Sequence, residues 1–157
     1  MSHVMIFTRL FLSVALLGLV FIASCSKDDL GASLYNPVPV VTVLDISPDT
    51  VTEFQQIINL TLQYEDGDGD IGEFDPDVGV VFVKDSRLAT ADEFHVPPLA
   101  PLNAPPIAIK GTLTLQIKNS FILGNAAQEK INYSLWLRDR AGHESEVVTT
   151  PYILIKR

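Results

Sequence analysis

Apolar and polar residues alternate along several stretches of this chain, and a period of two residues is that of a β-strand with one buried face. The clearest examples are Ile58 to Tyr64, Leu113 to Ile117 and Ile131 to Leu137. After residue 24, no segment of ten residues shows the 3.6-residue period of an amphipathic helix. Because alternating strands joined by Pro- and Gly-containing loops favour a sandwich over a barrel, the sequence predicts an all-β sandwich.

Further strands complete a domain predicted to span residues 38–157. Val38 to Ile46 is rich in β-branched residues and starts among prolines, which suits an edge strand. Val78 to Lys84 is almost continuously apolar and predicts a central strand, and Val147 to Ile155 closes the domain. Residues 119–130 are compatible with either a strand or a helical turn. The total expected is about seven strands.

The segment before this domain has the pattern of an export signal. An apolar run from Leu10 to Ala23 is too short for a comfortable membrane span and ends in Ile-Ala-Ser-Cys at residues 22–25. This ending resembles the bacterial lipobox, which implies cleavage before Cys25 and lipidation of that cysteine. We therefore expect a signal peptide at 1–24, and the lipidated cysteine with a flexible tether at 25–37. An ordinary signal peptide or a single anchor helix is the alternative.

Charge and cysteine content limit the partners. The chain carries a net charge of −8, and loss of residues 1–24, which hold one basic residue and no acidic one, leaves a net charge of −9. Such a surface repels nucleic acid and anionic membrane, so the only membrane contact expected is through the lipid anchor. Cys25 is the only cysteine, so an internal disulfide is excluded.

The residues after the cysteine bear on location. Ser26-Lys27-Asp28-Asp29 resembles the short acidic export tag of surface lipoproteins of the Bacteroidota. The resemblance implies a lipid-anchored protein of the outer membrane that faces the cell surface. A solvated linker on a lipoprotein that faces the periplasm is the alternative.

The penultimate strand carries a second resemblance. Tyr133-x-Leu135-x-Leu137, followed by Asp-Arg-Ala-Gly-His-Glu-Ser, resembles the closing hairpin of fibronectin type III and bacterial immunoglobulin-like domains. This implies an immunoglobulin-like antiparallel β-sandwich in which Tyr133 forms a tyrosine corner. Plain core packing of Tyr133 is the alternative.

Residues 65–77 hold seven carboxylates and no basic residue. Charges this close repel one another unless the loop is splayed into water or wrapped around a cation. The spacing of the first three aspartates suits calcium, but Ile71 stands where an EF-hand needs glycine, and strands flank the loop. The stretch resembles the Asp-x-Asp-Gly-Asp segment of cadherin-like bacterial sandwich domains. The candidate calcium ligands are Asp66, Asp68, Asp70, Asp75 and Asp77.

A simply solvated loop is one alternative to calcium, and internal neutralisation is another. In an immunoglobulin-like order, residues 65–77 and 139–146 share one end of the sandwich. Arg138 and Arg140, with Asp139 between them, are therefore candidate charge partners of the acidic loop. Either guanidinium would balance the loop without a metal.

No sequence motif of a hydrolase, metalloprotease or phosphate-binding loop occurs, so we expect a protein that is not an enzyme. The leading expectation is a surface binding or adhesion module, stabilised by calcium, with a glycan or protein partner. The alternative is an accessory subunit of an envelope complex for glycan uptake or secretion. Trp136 is either a core residue or an exposed platform for a sugar ring.

Overall fold

A computed structural model describes residues 36–101 and 105–157 of the chain. The predicted signal peptide, the lipidation site at Cys25 and all of the predicted tether before Asn36 lie outside these residues. Residues 36–101 and 105–157 contain no helix that is long and apolar enough to cross a membrane.

The described residues form ten β-strands and no helix. The strands are β1 (Val40–Ser47), β2 (Thr50–Thr52), β3 (Ile58–Asp66), β4 (Val81–Asp85), β5 (Asp92–Phe94), β6 (Ile109–Ile117), β7 (Gln128–Ile131), β8 (Tyr133–Leu137), β9 (Val148–Thr149) and β10 (Ile153–Lys156). The predicted all-β fold is confirmed. The strand number exceeds the expected seven for two reasons. The predicted closing strand is divided near Pro151. In addition, β2 lies in a segment that was predicted to be a turn, and β7 begins in the segment 119–130, which was compatible with either a strand or a helical turn.

Three sheets are formed, with strand orders β1-β3-β6, β2-β10-β7 and β5-β4-β8-β9. The edge position predicted for β1 and the central position predicted for β4 are both confirmed. One pair departs from the expected antiparallel arrangement, since β2 runs parallel to β10. The arrangement is sandwich-like, and the immunoglobulin-like topology stays a prediction.

The inward faces of the sheets share one hydrophobic core. Leu60 and Leu62 of β3, Leu135 and Leu137 of β8, and Ile155 of β10 are each fully buried within it. Burying each such side chain stabilises the fold by about 1.5–3 kcal/mol. The alternation seen in the sequence therefore corresponds to alternation between the core and the outer faces.

Tyr133 belongs to this core. Its side chain is 4% exposed, and burial raises the pKa of its hydroxyl to about 12. A side-chain hydrogen bond with Ser120 acts in the opposite direction and partly lowers this pKa. Tyr133 is therefore a core residue, and the tyrosine corner stays a prediction.

Candidate metal centre at the acidic pole

The last residue of β3 begins the candidate site. Asp66 is only 4% exposed, and one of its carboxylate oxygens, Oδ2, accepts a hydrogen bond of 2.8 Å from the backbone N–H of Asp70. This bond closes residues 66–70 into a tight loop. Two glycines permit the loop. A Cβ atom on Gly67 would lie 2.2 Å from the carbonyl oxygen of Asn36, and Gly69 has a φ of 76°.

The loop brings three carboxylates together. Asp66, Asp68 and Asp70 each offer an oxygen, and these oxygens lie within 4.8 Å of one another. In each of the three residues, the Oδ1 atom is buried and has no hydrogen-bond partner among the described residues. A buried acceptor that is left unpaired costs about 1–3 kcal/mol, and more if charged. The three residues therefore form a cluster that is able to hold a metal ion.

The pKa values of Asp66 and Asp70 show that bringing these carboxylates together is unfavourable. Burial, reinforced by the charge of Asp68, raises the pKa of Asp66 from 3.8 to about 6. Burial also raises the pKa of Asp70, with the charges of Asp139 and Asp68 adding to the shift. Full ionisation of the cluster is thus unfavourable, and the binding of either a proton or a cation would reduce the repulsion between the carboxylates.

The loop after β8 lies beside this aspartate cluster, as the sequence predicted. The backbone N–H of Ala141 donates to Oδ2 of Asp70 at 3.0 Å. The Arg140 guanidinium donates to the carbonyl oxygen of Gly72 at 2.8 Å. Here we call residues 66–72 and 139–143 together the acidic pole.

Asp139 adds a fourth carboxylate to the acidic pole. Its side chain has no exposure and accepts hydrogen bonds of 2.8 Å from both the backbone N–H and the ring Nδ1 of His143. This hydrogen bond, together with the charge of Asp139, raises the pKa of His143 above 6.5. Asp139 is therefore held by His143, and its own negative charge adds to the repulsion on Asp70 instead of neutralising it.

Of the two arginines predicted as charge partners, only Arg140 contacts the acidic loop. Arg138 pairs with Glu144 at 2.6 Å and lies over the ring of Phe82, so it is not a partner of the acidic loop. Arg140 lowers the pKa of Asp70 by its charge, but among the described residues it forms no ion pair with a carboxylate. Internal neutralisation of the cluster by a direct arginine contact is therefore absent from the described part of the chain.

Asp75 and Asp77, the other two predicted ligands, lie outside the cluster. Both are exposed, and Oδ1 of Asp75 accepts the backbone N–H of Asp77 at 3.0 Å in a local turn. The separation has a clear cause in Ile71, which is fully buried in the core and pins the loop between the two groups of acids. The acidic run contains two large apolar residues, Ile71 and Phe74, and only the structure shows that Ile71 is the anchor, because Phe74 is exposed.

Sequence reasoning also missed a buried ion cluster far from the acidic pole. Arg87 donates to Asp85 at 2.7 Å, pairs with Glu129, and donates to the carbonyl oxygen of Phe121 at 2.9 Å. The side chains of Arg87, Asp85 and Glu129 are 14%, 9% and 18% exposed. Asp85 is a close neighbour of Arg87 in sequence, but no residue spacing predicts the contacts with Glu129 and Phe121, because these partners come from distant segments.

Comparison of the chain with protein-family models, with curated proteins and with solved structures gave no match.

Proposed function

We propose that the protein is a non-enzymatic binding module, anchored by a lipid at the outer surface of a bacterial outer membrane, whose acidic pole is stabilised by Ca²⁺. The observation that carries the ion assignment is the convergence of three carboxylates, from Asp66, Asp68 and Asp70, each of which has one buried oxygen without a hydrogen-bond partner. The lipid anchor and the location rest on the sequence around Cys25.

The donor set favours Ca²⁺ among the common metals. All three donors are hard carboxylate oxygens, with no histidine or cysteine among them, which disfavours zinc and copper. Ca²⁺ binds oxygens at about 2.3–2.6 Å, so two ligands of one ion lie at most about 5.2 Å apart. The separations of up to 4.8 Å fit this range.

A bound ion would stabilise the contacts between the 66–72 loop and several other segments of the chain. The 66–72 loop contacts the start of the domain, since the N–H of Gly67 donates to Asn36 at 3.0 Å. It contacts the proline-containing segment through the N–H of Leu99, which donates to Ile71 at 3.1 Å. Through Asp70 it contacts Ala141. A bound cation that removes the repulsion within the loop would therefore stabilise the whole acidic pole.

The test is thermal unfolding of the mature chain, kept unlipidated by Cys25→Ser, in 5 mM Ca²⁺ and in EGTA. A ligand at a hundredfold excess over its Kd adds about 2.7 kcal/mol to the free energy of unfolding. We expect Ca²⁺ to raise the midpoint of the wild type by several degrees and to leave that of Asp68→Asn unmoved.

Asp75→Asn is the matched control, because it removes one negative charge from the same stretch without touching the cluster. It should keep the full response to Ca²⁺. A wild-type midpoint that is the same in Ca²⁺ and in EGTA would overturn the ion assignment, and so would an equal loss of response in both variants.

A further inference from the structure

The outer face of the β5-β4-β8-β9 sheet carries features that the ion site does not explain. In β8, Tyr133, Leu135 and Leu137 are buried, so Ser134 and Trp136 project from the opposite face. Lys84 of β4 pairs directly with Ser134 and lies on that same face. The question left open by the sequence, whether Trp136 is core or surface, is answered by this alternation: its ring is half-buried on the outer face.

The ring of Trp136 is held rigidly. It stacks on Phe82, its cross-strand partner, with ring centroids 5.2 Å apart and an angle of 6° between the planes. Phe82 is itself only 5% exposed, and the guanidinium of Arg138 lies 4.6 Å from the centre of its ring. Because the indole is already fixed by packing, a ligand that stacks on it would pay little conformational entropy.

Trp136 lines a shallow pocket of about 470 Å³ on this face. The other lining residues are Lys84, Ser86, Ser134 and Val147. The pocket therefore combines an aromatic surface, an aliphatic wall, two hydroxyls and a single cation. It contains no carboxylate, although the chain has 19 acidic residues and 11 basic ones.

The positive charge of Lys84 indicates which class of ligand this pocket would bind. Among the described residues it forms no salt bridge, whereas Lys110 pairs with Glu65. A cation beside an aromatic ring and two hydroxyls complements a ligand with an apolar ring face, hydroxyl groups and a negative charge. A sugar ring that bears a carboxylate has all three.

We propose that this pocket binds a uronic acid unit of an acidic polysaccharide. The C–H bonds of the sugar ring would pack on the face of Trp136, where the π-electrons give a negative potential. The carboxylate would pair with Lys84, and the sugar hydroxyls would exchange hydrogen bonds with Ser86 and Ser134. This inference rests on the proposed binding function and names the ligand class of that module.

Trp136 is the only tryptophan in the chain, so its fluorescence reports on this pocket alone. The experiment titrates the mature Cys25→Ser chain with tetragalacturonate in EGTA, so that no calcium bridges the sugar. The comparison ligands are the fully methyl-esterified tetramer and a neutral cello-oligosaccharide. We expect a saturable change with tetragalacturonate and an affinity at least tenfold weaker for the two neutral ligands.

Lys84→Gln should weaken binding of tetragalacturonate by about tenfold, which corresponds to about 1.4 kcal/mol. Lys118 is an exposed lysine directly after β6, and Lys118→Gln removes the same charge and should leave the affinity unchanged. The proposal is overturned if tetragalacturonate produces no change at millimolar concentration, if the neutral ligands bind equally well, or if both lysine variants behave alike.

This titration and the calcium experiment fail independently. An absent fluorescence response with an intact calcium shift overturns the ligand class alone. A saturable fluorescence response in a protein whose unfolding midpoint is the same with and without Ca²⁺ overturns the ion assignment alone.

Discussion

At the scale of single residues, Asp66 combines two tasks that are usually separate. Its Oδ2 atom closes the loop by accepting the N–H of Asp70, and its Oδ1 atom remains buried without a partner. The carboxylate is therefore held in place by the fold before any ion arrives. Such preorganisation lowers the entropy lost when an ion binds, but it raises the free energy of the ionised metal-free state.

That energetic cost predicts a pH dependence of stability. Because the pKa of Asp66 rises from 3.8 to about 6 on folding, the metal-free folded state binds more protons than the unfolded state between these values. Stability in EGTA should therefore fall as the pH rises from about 4 to about 6. In saturating Ca²⁺, which requires deprotonated ligands, stability should instead increase over this interval.

Unfolding midpoints measured across this pH range in EGTA and in Ca²⁺ check the prediction. Asp66→Asn should flatten both profiles. His143→Gln is the comparison variant, because the raised pKa of His143 stabilises the fold below pH 6.5 and that contribution is lost as the pH rises through the folded-state pKa. Its removal should alter the profile above pH 6.5. An Asp66→Asn profile identical to the wild type would contradict the assignment.

At the scale of elements, Arg87 joins pieces of the chain that no strand pairing connects. It lies just after β4, and its guanidinium contacts Glu129 of β7 and the carbonyl oxygen of Phe121 in the segment before β7. All three charged side chains are largely buried. A buried charge left without its partner is strongly destabilising, so this cluster ties the segment after β4 to β7.

We predict that Arg87→Ala lowers the free energy of unfolding by about 3–5 kcal/mol, because it leaves Asp85 buried without its partner. Arg138→Ala is the matched control. Its pair with Glu144 is about half exposed, so the loss should be about 1 kcal/mol, including the contact with Phe82. Urea unfolding of both variants provides the measurement. Equal losses would show that the Arg87 cluster contributes no more than a surface pair.

At the scale of the whole described domain, the two ends have opposite character. Strand β3 runs from Ile58 at one end to Asp66 at the other, and its nine residues span about 30 Å. The acidic pole lies at the second end. At the first end, Phe54 is 67% exposed and stacks with Phe121, with ring centroids 6.3 Å apart. A cation at one end should therefore stabilise the two ends unequally.

Hydrogen exchange measures this asymmetry. We expect Ca²⁺ to slow exchange at the amides of Gly67, Asp70 and Ala141, whose hydrogen bonds hold the acidic pole. Exchange at the amide of Phe54, which donates to Ser120 at the other end, should change little. The Asp68→Asn variant should lose the protection. Uniform slowing at both ends would contradict a local effect and indicate general stabilisation.

The alternating residues were sufficient to predict the all-β class, the principal strands and the buried face of β3 and β8, because side-chain direction in a strand follows local geometry. The position of the acidic loop between two strands also followed from the sequence. These features depend on neighbours along the chain. They are therefore readable without knowledge of the fold.

Only the tertiary structure decided which acids converge. Asp66, Asp68 and Asp70 meet because Gly67 packs on Asn36, Ile71 is buried in the core and Ala141 donates to Asp70. Asp75 and Asp77 have the same chemistry but lack these contacts. The partners of Arg138 and Arg87, the parallel pairing of β2 with β10 and the pocket beside Trp136 likewise depend on segments far apart in sequence. Residue spacing indicated the convergence of the first three aspartates, but contacts between distant segments are set by long-range packing, which spacing along a single chain does not encode.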